Sequence, residues 1–283
     1  MKLPFTPDFK GRTAVVTGGA GVLCSMFARA LAQCGANVAI CDLNGEKAEA
    51  LAAQLRQEGY AAMGLTVNVL DRASITAAHE KILAAYGPCS ILLNGAGGNS
   101  PKCTTDDEFF SPDVLADPEK KSFFDLDDAG FGFVFGLNMT GTLLPTQIFA
   151  RDMVERGSGV IMNISSMNAF APLTKIPAYS AAKAAVSNFT KWLAVHFAKT
   201  GIRVNAMAPG FFSTAQNKTL LWNPDGTPTA RTEKILAATP MGRFGQPEDL
   251  VGTMLWLMDD ACSGFVTGTV IPVDGGFSAY SGV

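Results

Sequence analysis

Charged residues are scarce in this sequence. Only 17% of its 283 residues are Asp, Glu, Lys or Arg, whereas about 25% is usual for a soluble protein, and 48% are hydrophobic. A chain of this length can bury a large core within one domain. The composition therefore indicates either a large core or, as we favour, further surface buried between the subunits of a homo-oligomer.

Neither sign of charge dominates, and no long apolar run is present. The 22 basic and 25 acidic residues give a net charge of −3 without a basic cluster, which argues against nucleic acid as a main partner. No apolar run approaches the roughly 18 residues of a membrane-spanning helix, and residues 1–8 lack the apolar region of a secretion signal. We expect a cytoplasmic protein that makes no membrane contact.

The sequence also has few histidines and no closely spaced pair of cysteines. The six cysteines include no Cys-x-x-Cys pair, and the two histidines, His79 and His196, are far apart in helical patterns. We therefore expect neither a disulfide framework nor a metal site.

The sequence does contain a regular alternation of short apolar runs and helical patterns. It predicts an α/β fold in which a parallel sheet has helices on both faces. We see no repeat or linker, so we expect one domain over 1–283, with long loops at about 99–128 and 211–239. The predicted strands are 12–17, 37–41, 61–69, 90–93, 159–165, 203–207 and 269–273, and the predicted helices are 25–34, 46–58, 72–86, 131–156, 179–199 and 247–258.

A glycine-rich turn follows the first predicted strand. Such a turn lets the backbone approach a pyrophosphate, and the next helix attracts its negative charge, although many glycine turns are only turns. Asp42 ends the second strand about 21 residues later, where a carboxylate can accept hydrogen bonds from both ribose hydroxyls of NAD and repel the 2′-phosphate of NADP. An acidic residue at this position can also be a helix cap, but the glycine turn and Asp42 together favour NAD over NADP. The residues assigned to the cofactor here are Gly18, Gly19, Gly21, Val22, Leu23, Asp42 and Leu43.

A second turn, after the fourth strand, is a candidate contact for the adenosine half of the cofactor. Asn68, near the end of the third strand, could bond to the adenine edge, but exposed asparagines at strand ends are common. The predicted contacts in these segments are Asn68, Val69, Asn94, Gly95, Ala96 and Gly97.

Tyr179 and Lys183 are four residues apart, so they share one face of a predicted helix. A nearby ammonium lowers the pKa of a tyrosine, ordinarily about 10, and favours proton transfer near neutral pH. Ser166 lies 13 residues before Tyr179, where its hydroxyl could bond to a substrate oxygen. A Tyr-x-x-x-Lys pair by itself is most often an exposed pair on a helix.

The order of these motifs resembles the short-chain dehydrogenase/reductase family. The matching segments are the glycine turn, 94–97, 163–166, 179–183 and 209–210, and the resemblance covers nearly the whole chain. It implies a seven-stranded Rossmann sheet, commonly a tetramer, and reversible hydride transfer with a nicotinamide cofactor. The catalytic tetrad that it implies is Asn138, Ser166, Tyr179 and Lys183.

The resemblance also implies individual roles. Tyr179 would transfer the proton, Ser166 would orient the carbonyl, Lys183 would also hold the nicotinamide ribose, and Asn138 would hold a water that links Lys183 to solvent. The segment expected to meet the nicotinamide comprises Pro209, Gly210, Phe211 and Thr214. Two departures concern cofactor contact: Val22 and Cys24 stand where the family has glycines, and Asn68 stands where it usually has aspartate.

The two long loops and the 167–177 segment should enclose the substrate. A cation in a closed pocket would suggest a carboxylate partner, although most loop lysines are merely solvated. The candidates for substrate contact are Asn99, Lys102, Ser166, Asn168, Lys175, Tyr179 and, more loosely, Arg243.

Three segments, 97–102, 123–126 and 143–147, resemble the D-mannonate oxidoreductases (fructuronate reductases) within this family. That resemblance implies reduction of D-fructuronate by NADH to D-mannonate. Two alternatives stay open: a reductase for another carbonyl, such as 5-ketogluconate, a small polyol or a 3-oxoacyl chain, and a catalytically silent NAD-binding protein. No basic docking patch for a carrier-bound acyl chain is apparent, and the complete tetrad argues against a silent protein.

Overall fold

Seven parallel strands form one sheet in the computed structural model, which describes residues 1–213 and 218–282. The spatial order is β3-β2-β1-β4-β5-β6-β7, and every neighbouring pair is parallel. This confirms the predicted doubly wound Rossmann fold. The strands are β1 (Thr13–Thr17), β2 (Asn37–Asp42), β3 (Ala62–Thr66), β4 (Cys89–Asn94), β5 (Gly159–Ile164), β6 (Ile202–Pro209) and β7 (Val270–Val273).

Helices cover both faces of the sheet because successive strand residues point to opposite faces. In β1, Ala14 and Val16 belong to one buried apolar cluster and Val15 to the other. None of the helices in the described residues is long and apolar enough to cross a membrane. The helices are α1 (Val22–Gln33), α2 (Gly45–Gln57), α3 (Arg72–Tyr86), α4 (Asp128–Phe135), α5 (Gly141–Arg156), α6 (Pro177–His196), α7 (Lys218–Leu221), α8 (Ala230–Ala237), α9 (Val251–Met258) and α10 (Asp260–Ser263).

The order of the strands reverses between β1 and β4, and this opens a crevice at their carboxyl ends. Thr17 lies beside Asn94 in the register, so the turns that follow these two strands are neighbours. The Thr17 hydroxyl accepts a hydrogen bond from the backbone N–H of Gly95 at 3.1 Å. The fold thus brings the two predicted glycine turns to one place.

A buried chain of polar side chains joins the centre of the sheet to two helices. The Asn94 amide donates to Thr146 of α5 and to the Asn163 amide oxygen, both at 2.9 Å. Asn163 in turn donates to Thr190 of α6 at 2.9 Å. The Asn94 side chain therefore points into the protein interior, whereas the cofactor contact that we predict for this turn is one of its backbone.

The predicted helix at 131–156 is in fact two helices. A π-helical turn, Gly136–Thr140, separates α4 from α5, and Asn138 lies within it, fully buried. Such turns are frequent at functional sites because they redirect side chains within an otherwise regular helix.

The two long loops contain more structure than predicted. Residues 101–125 form three short 3₁₀ turns, and α7 and α8 lie within the 211–239 segment, which we had expected to be irregular. Thr229 caps α8 by accepting from the backbone N–H of Thr232, and Ile235 is buried against Leu221 and Phe244. The Pro and Gly residues at 224–228, between these two helices, are typical of loops, and for this reason the sequence did not predict the helices.

We expect Asn163→Ala to lower the free energy of unfolding by about 2–4 kcal/mol, because it removes two buried hydrogen bonds and leaves the Asn94 amide and the Thr190 hydroxyl with one bond fewer each. Urea unfolding at neutral pH measures the change. Ser158→Ala, at an exposed position just before β5, is the control and should change it by less than about 0.5 kcal/mol. Equal effects of the two substitutions would contradict a structural role for the buried chain.

Candidate active site

A cavity of about 570 Å³ lies along the carboxyl ends of the central strands. It runs from the end of β2, past both glycine turns, to the start of α6. The predicted cofactor contacts that line it are Gly18, Gly21, Val22, Leu23, Asp42, Leu43, Asn68, Val69, Gly95, Ala96, Gly97, Tyr179, Lys183, Gly210 and Phe211.

The glycine turn after β1 has the close packing that a phosphate-binding loop requires. Gly18 has a φ of +61°, and a Cβ there would lie 2.8 Å from the backbone of Ala96 in the second turn. The cap residue of α1, Gly21, supplies no side chain to the first-turn N–H groups of this helix. The N-terminus of α1 is thus available to an anion in the cavity.

Cys24 replaces a family glycine without disturbing this packing. Its side chain is 5% exposed, and a Cβ on Gly95 would lie 2.2 Å from its sulfur. The glycine at 95 therefore provides the space that the thiol fills. Gly19 has a different role from the predicted one: it faces Val16 and Ile40 within the protein and does not line the cavity.

Asp42 is fixed at the end of the cavity nearest β2. Its carboxylate accepts hydrogen bonds from the backbone N–H groups of Ala20 at 3.0 Å and Asn44 at 2.9 Å. A carboxylate has about four acceptor positions, so two remain for ribose hydroxyls. The Asn68 side chain lines the cavity too, but its oxygen accepts from the Leu70 N–H at 3.0 Å.

The opposite end of the cavity contains the predicted proton-transfer residues. The side chains of Ser166 and Tyr179 are neighbours, and the Ser166 hydroxyl acts to lower the pKa of the Tyr179 phenol. The Lys183 ammonium lies 5.7 Å from the centroid of the Tyr179 ring and donates to the carbonyl of Ile164 at 2.7 Å. The i, i+4 spacing on α6 therefore does bring this pair together.

Asn138 lies behind this group rather than in the cavity. Its amide donates to the carbonyls of Gly98 and Val134 at 2.7 and 2.8 Å. A Cβ on Gly97 would lie 2.6 Å from the Asn138 oxygen and 3.0 Å from the Lys183 nitrogen. Position 97 therefore has no room for a side chain, because the second glycine turn passes directly against the polar groups of Asn138 and Lys183.

Burial controls the ionisation of both proton-transfer residues. It raises the pKa of Tyr179, and the neighbouring Ser166 hydroxyl only partly opposes this. It lowers the pKa of Lys183 to about 8. The sequence had suggested that the ammonium would lower the pKa of Tyr179, but in the structure removal from water has the larger effect. Tyr179 is consequently protonated at neutral pH and suited to donate a proton.

Asn168 is a buried residue with an unused polar group. It is 4% exposed, and its backbone N–H donates to the Ser166 hydroxyl at 3.2 Å. Its side-chain oxygen is buried and has no hydrogen-bond partner among the described residues. A buried amide without a partner is costly, and this one lies two residues from Ser166 but does not line the cavity that contains Tyr179.

Most of the other predicted substrate residues lie elsewhere. Asn99 donates to Thr104, Lys102 is exposed beside Asp127, and neither lines a cavity that contains Tyr179. Two further candidates do not line the main cavity: Arg243 is paired with Asp249 at 2.7 Å, and Pro209 is buried at the end of β6. The predicted contact at Thr214 lies outside the described residues.

Lys175 has a structural task in addition to its place in the loop. It adopts a φ of +70°, and its ammonium donates to the carbonyl of Asp106 at 2.6 Å. Its own carbonyl accepts from the backbone N–H of Thr105 at 2.9 Å. Lys175 therefore ties the 99–128 loop to the segment that precedes α6.

A second cavity, of about 490 Å³, adjoins the first at Phe211, which lines both. Arg231 and Lys234 from α8 line it, as do Glu108 and Lys175. Sequence reasoning missed Arg231 and Lys234 because it treated 211–239 as irregular. The signal that could have found them is the Thr229 cap followed by cations three residues apart.

Lys183 gives a test of this geometry that needs no ligand. Its pKa is about 8 in the folded protein instead of the ordinary 10.5. Above pH 10.5 the amine is neutral in both states, and stability is then lost as pH falls toward 8, because the unfolded chain binds the proton first. Relative to Lys183→Met, the wild type should therefore gain up to about 3 kcal/mol between about pH 7.5 and 10.5.

Unfolding free energies of both proteins at the two pH values measure this gain. Lys81→Met, at an exposed position on α3, should show no such pH-dependent difference from the wild type. A Lys183→Met difference that is the same at both pH values would mean that the amine is not desolvated.

Comparison with known proteins identifies the family. The chain matches short chain dehydrogenase over residues 12–224. The uncharacterized oxidoreductase UxuB of Bacillus subtilis is 53% identical over 281 residues, which cover 99% of this chain and 100% of the relative. The 5-keto-D-gluconate 5-reductase of Escherichia coli is 32% identical over 94% of this chain and 95% of that enzyme.

A solved structure gives the same result. A Haemophilus influenzae protein, provisionally named a D-mannonate oxidoreductase and crystallised with bound NAD, has a TM-score of 0.94 to this chain and 53% identity, over 98% of both chains. The chain therefore belongs to the short-chain dehydrogenase family and is an NAD(P)-dependent oxidoreductase that acts on alcohol or ketone groups.

Proposed function

We propose that this enzyme uses NAD to interconvert D-fructuronate and D-mannonate. The observation that carries the reaction type is that Ser166 and Tyr179 are neighbours beside the buried Lys183, at one end of a cavity lined by two glycine turns. The substrate rests on the Haemophilus influenzae protein that bears this provisional name and on the polar groups that surround the site.

The cavity fits a dinucleotide. Its two glycine turns have no space for a Cβ, the N-terminus of α1 suits a pyrophosphate, and the Asp42 carboxylate suits the two hydroxyls of the adenosine ribose. Lys183 at the other end suits the second ribose. Bound NADH would supply the hydride, and NAD⁺ would accept it in the reverse direction. A carboxylate at position 42 disfavours a 2′-phosphate, so we propose NAD rather than NADP.

Tyr179 moves the proton in this proposal. In the reducing direction its hydroxyl donates a proton to the carbonyl oxygen of the substrate, and the raised pKa keeps that proton in place at neutral pH. The Ser166 hydroxyl bonds to the same oxygen and orients it. In the oxidising direction the ionised form of Tyr179, its phenolate, takes the proton from the alcohol.

Lys183 and Asn138 support this transfer. The ammonium of Lys183 lies close to the Tyr179 ring and stabilises negative charge on the phenolic oxygen as the proton leaves. Asn138 is a positioning residue: it fixes the Gly98 carbonyl and the π-helical turn, and through them the wall against which Lys183 lies. The role of Asn138 in holding a water stays a prediction.

A hydroxylated substrate suits the surroundings of the reacting carbonyl. The buried Asn168 oxygen has no partner in the described residues and lies one short loop turn from Ser166. A sugar-acid hydroxyl next to the carbonyl would satisfy it, whereas a simple ketone would not. This favours sugar-acid ketones over unsubstituted ones.

A second candidate substrate is 5-keto-D-gluconate, on which the Escherichia coli relative acts. Like D-fructuronate it is a six-carbon keto acid, with several hydroxyls between the carbonyl and the carboxylate. The polar groups around Ser166 and Tyr179 suit both keto acids, so the choice between the two substrates depends on stereochemistry. A catalytically silent protein is disfavoured because Ser166, Tyr179 and Lys183 are all present and close together.

A homo-oligomer, most simply a tetramer, remains our proposal for the assembled enzyme, and the cytoplasm for its location. Apolar side chains on adjoining faces of α5 and α6 support the first, since Val154, Trp192 and Val195 are 46%, 56% and 79% exposed. The described cysteines are all free thiols, which suits a reducing compartment.

We expect the wild type to oxidise NADH with D-fructuronate, and Tyr179→Phe to lower kcat by about 10²–10⁴-fold with little change in NADH affinity, because only the proton donor is lost. A screen with D-fructuronate, D-tagaturonate, 5-keto-D-gluconate and simple ketones measures the first, and fluorescence titration with NADH measures the second. Absence of turnover with D-fructuronate would remove the substrate proposal. Full activity of Tyr179→Phe would remove the assigned role.

We expect Asp42→Ala to lower the ratio of kcat/KM for NADH over NADPH by about 10–100-fold, because the ribose loses a charged acceptor and the 2′-phosphate loses a repulsive neighbour. Glu46→Gln removes a nearby exposed charge in the first turn of α2 and is the matched control. A wild type that prefers NADPH would contradict the assignment of Asp42.

A further inference from the structure

The second cavity contains an excess of positive charge. Lys175, Arg231 and Lys234 line it, against one carboxylate, Glu108. The Lys175 ammonium is already bonded to the Asp106 carbonyl at 2.6 Å, and Lys234 is paired with Glu108 at 2.9 Å. Arg231 has no ion pair with any residue that the structure describes. Its guanidinium therefore has N–H donors available to a ligand.

Arg231 and Lys234 act from the same face of one helix. They are three residues apart on α8, and side chains at this spacing are neighbours on a helix surface. The helix is anchored beneath them by the Thr229 cap and by Ile235, which packs among Leu221 and Phe244. The two cations are thus held on a defined element at the wall of the cavity.

This cavity adjoins the one that contains the site of proton transfer. Phe211 lines both cavities, and Ile176, which lines the second, immediately precedes the helix that carries Tyr179. A ligand whose carbonyl oxygen lies at Tyr179 can extend past Phe211 toward α8. A six-carbon keto acid has its carboxylate at the far end from such a carbonyl.

We infer that Arg231, assisted by Lys234, binds the carboxylate of the substrate and so selects keto acids over neutral ketoses. The planar guanidinium forms paired hydrogen bonds with a carboxylate, and Lys234 adds a second positive charge. Glu108 neutralises Lys234 when no acid is bound. The inference rests on the proposed function for the position of the carbonyl, but it assigns a binding group for the other end of the substrate.

The test compares two sugars that differ only in charge at one end. D-fructuronate has a carboxylate where D-fructose has a hydroxymethyl group. We expect Arg231→Ala to lower the ratio of kcat/KM for D-fructuronate over D-fructose by about 10–100-fold, mainly through KM, and Arg231→Lys to retain part of the preference. Lys81→Ala, an exposed lysine on α3, is the charge-matched control and should leave the ratio unchanged.

Glu108→Gln tests the same site, but it should strengthen the binding of the acid instead of weakening it. It removes the competing carboxylate and frees Lys234, so we expect KM for D-fructuronate to fall about two- to fivefold while KM for D-fructose stays constant. A KM for D-fructuronate that does not fall would exclude Lys234 from the site.

Binding measurements separate this inference from the proposed substrate. Calorimetric titration of the NADH-bound enzyme, which cannot oxidise them, with D-mannonate, D-gluconate and the neutral D-mannitol applies even if D-fructose turnover is slow or D-fructuronate is not reduced. Binding of either acid that weakens tenfold or more in Arg231→Ala supports the anion site, whichever acid it is. Acid binding that is unaffected by Arg231→Ala, or an equal loss for D-fructuronate and D-fructose, would overturn it.

Discussion

Removal of the Lys183 amine from water is the constraint on which the arrangement of the site depends. Lys183 is 3% exposed, so its ammonium needs nearby acceptors, and the one found among the described residues is the Ile164 carbonyl at the end of β5. That bond fixes α6 against the sheet and with it Tyr179, one helical turn earlier. Burial lowers the pKa of the amine to about 8, so that a small change in its surroundings alters its charge.

The surroundings of this amine are held by polar contacts deep in the protein. Asn94 and Asn163 link β4 and β5 to the two helices that flank the site, and Asn138 links the π-helical turn to the second glycine turn. None of these three side chains needs to touch a ligand. They determine where the backbone carbonyls and turns lie, and these in turn define the shape of the cavity. Precise placement of the reactive groups is therefore a property of the sheet–helix interface.

The sequence was sufficient for features that depend on local spacing. The alternation of strands and helices, the turn at Gly18 and the shared helix face of Tyr179 and Lys183 follow from periodicity and were found correctly. Features that depend on distant contacts were missed. The side chain of Asn94 turns inward because Asn163 and Thr146 are its partners, and Gly19 packs on β2, which no local pattern indicates. Helix α8 was not predicted from the sequence because its stability comes from tertiary packing and a cap.

The contacts of Lys175 have a consequence for how such enzymes diversify. Lys175 joins the 99–128 loop to the segment before α6, and Glu108 joins the same loop to α8. The three segments around the second cavity are thus connected to one another by contacts that leave the sheet and the proton-transfer residues untouched. Insertions and replacements in these segments can be exchanged as a group during evolution. The same proton-transfer residues can in this way act on a new substrate while the sheet that positions them stays unchanged.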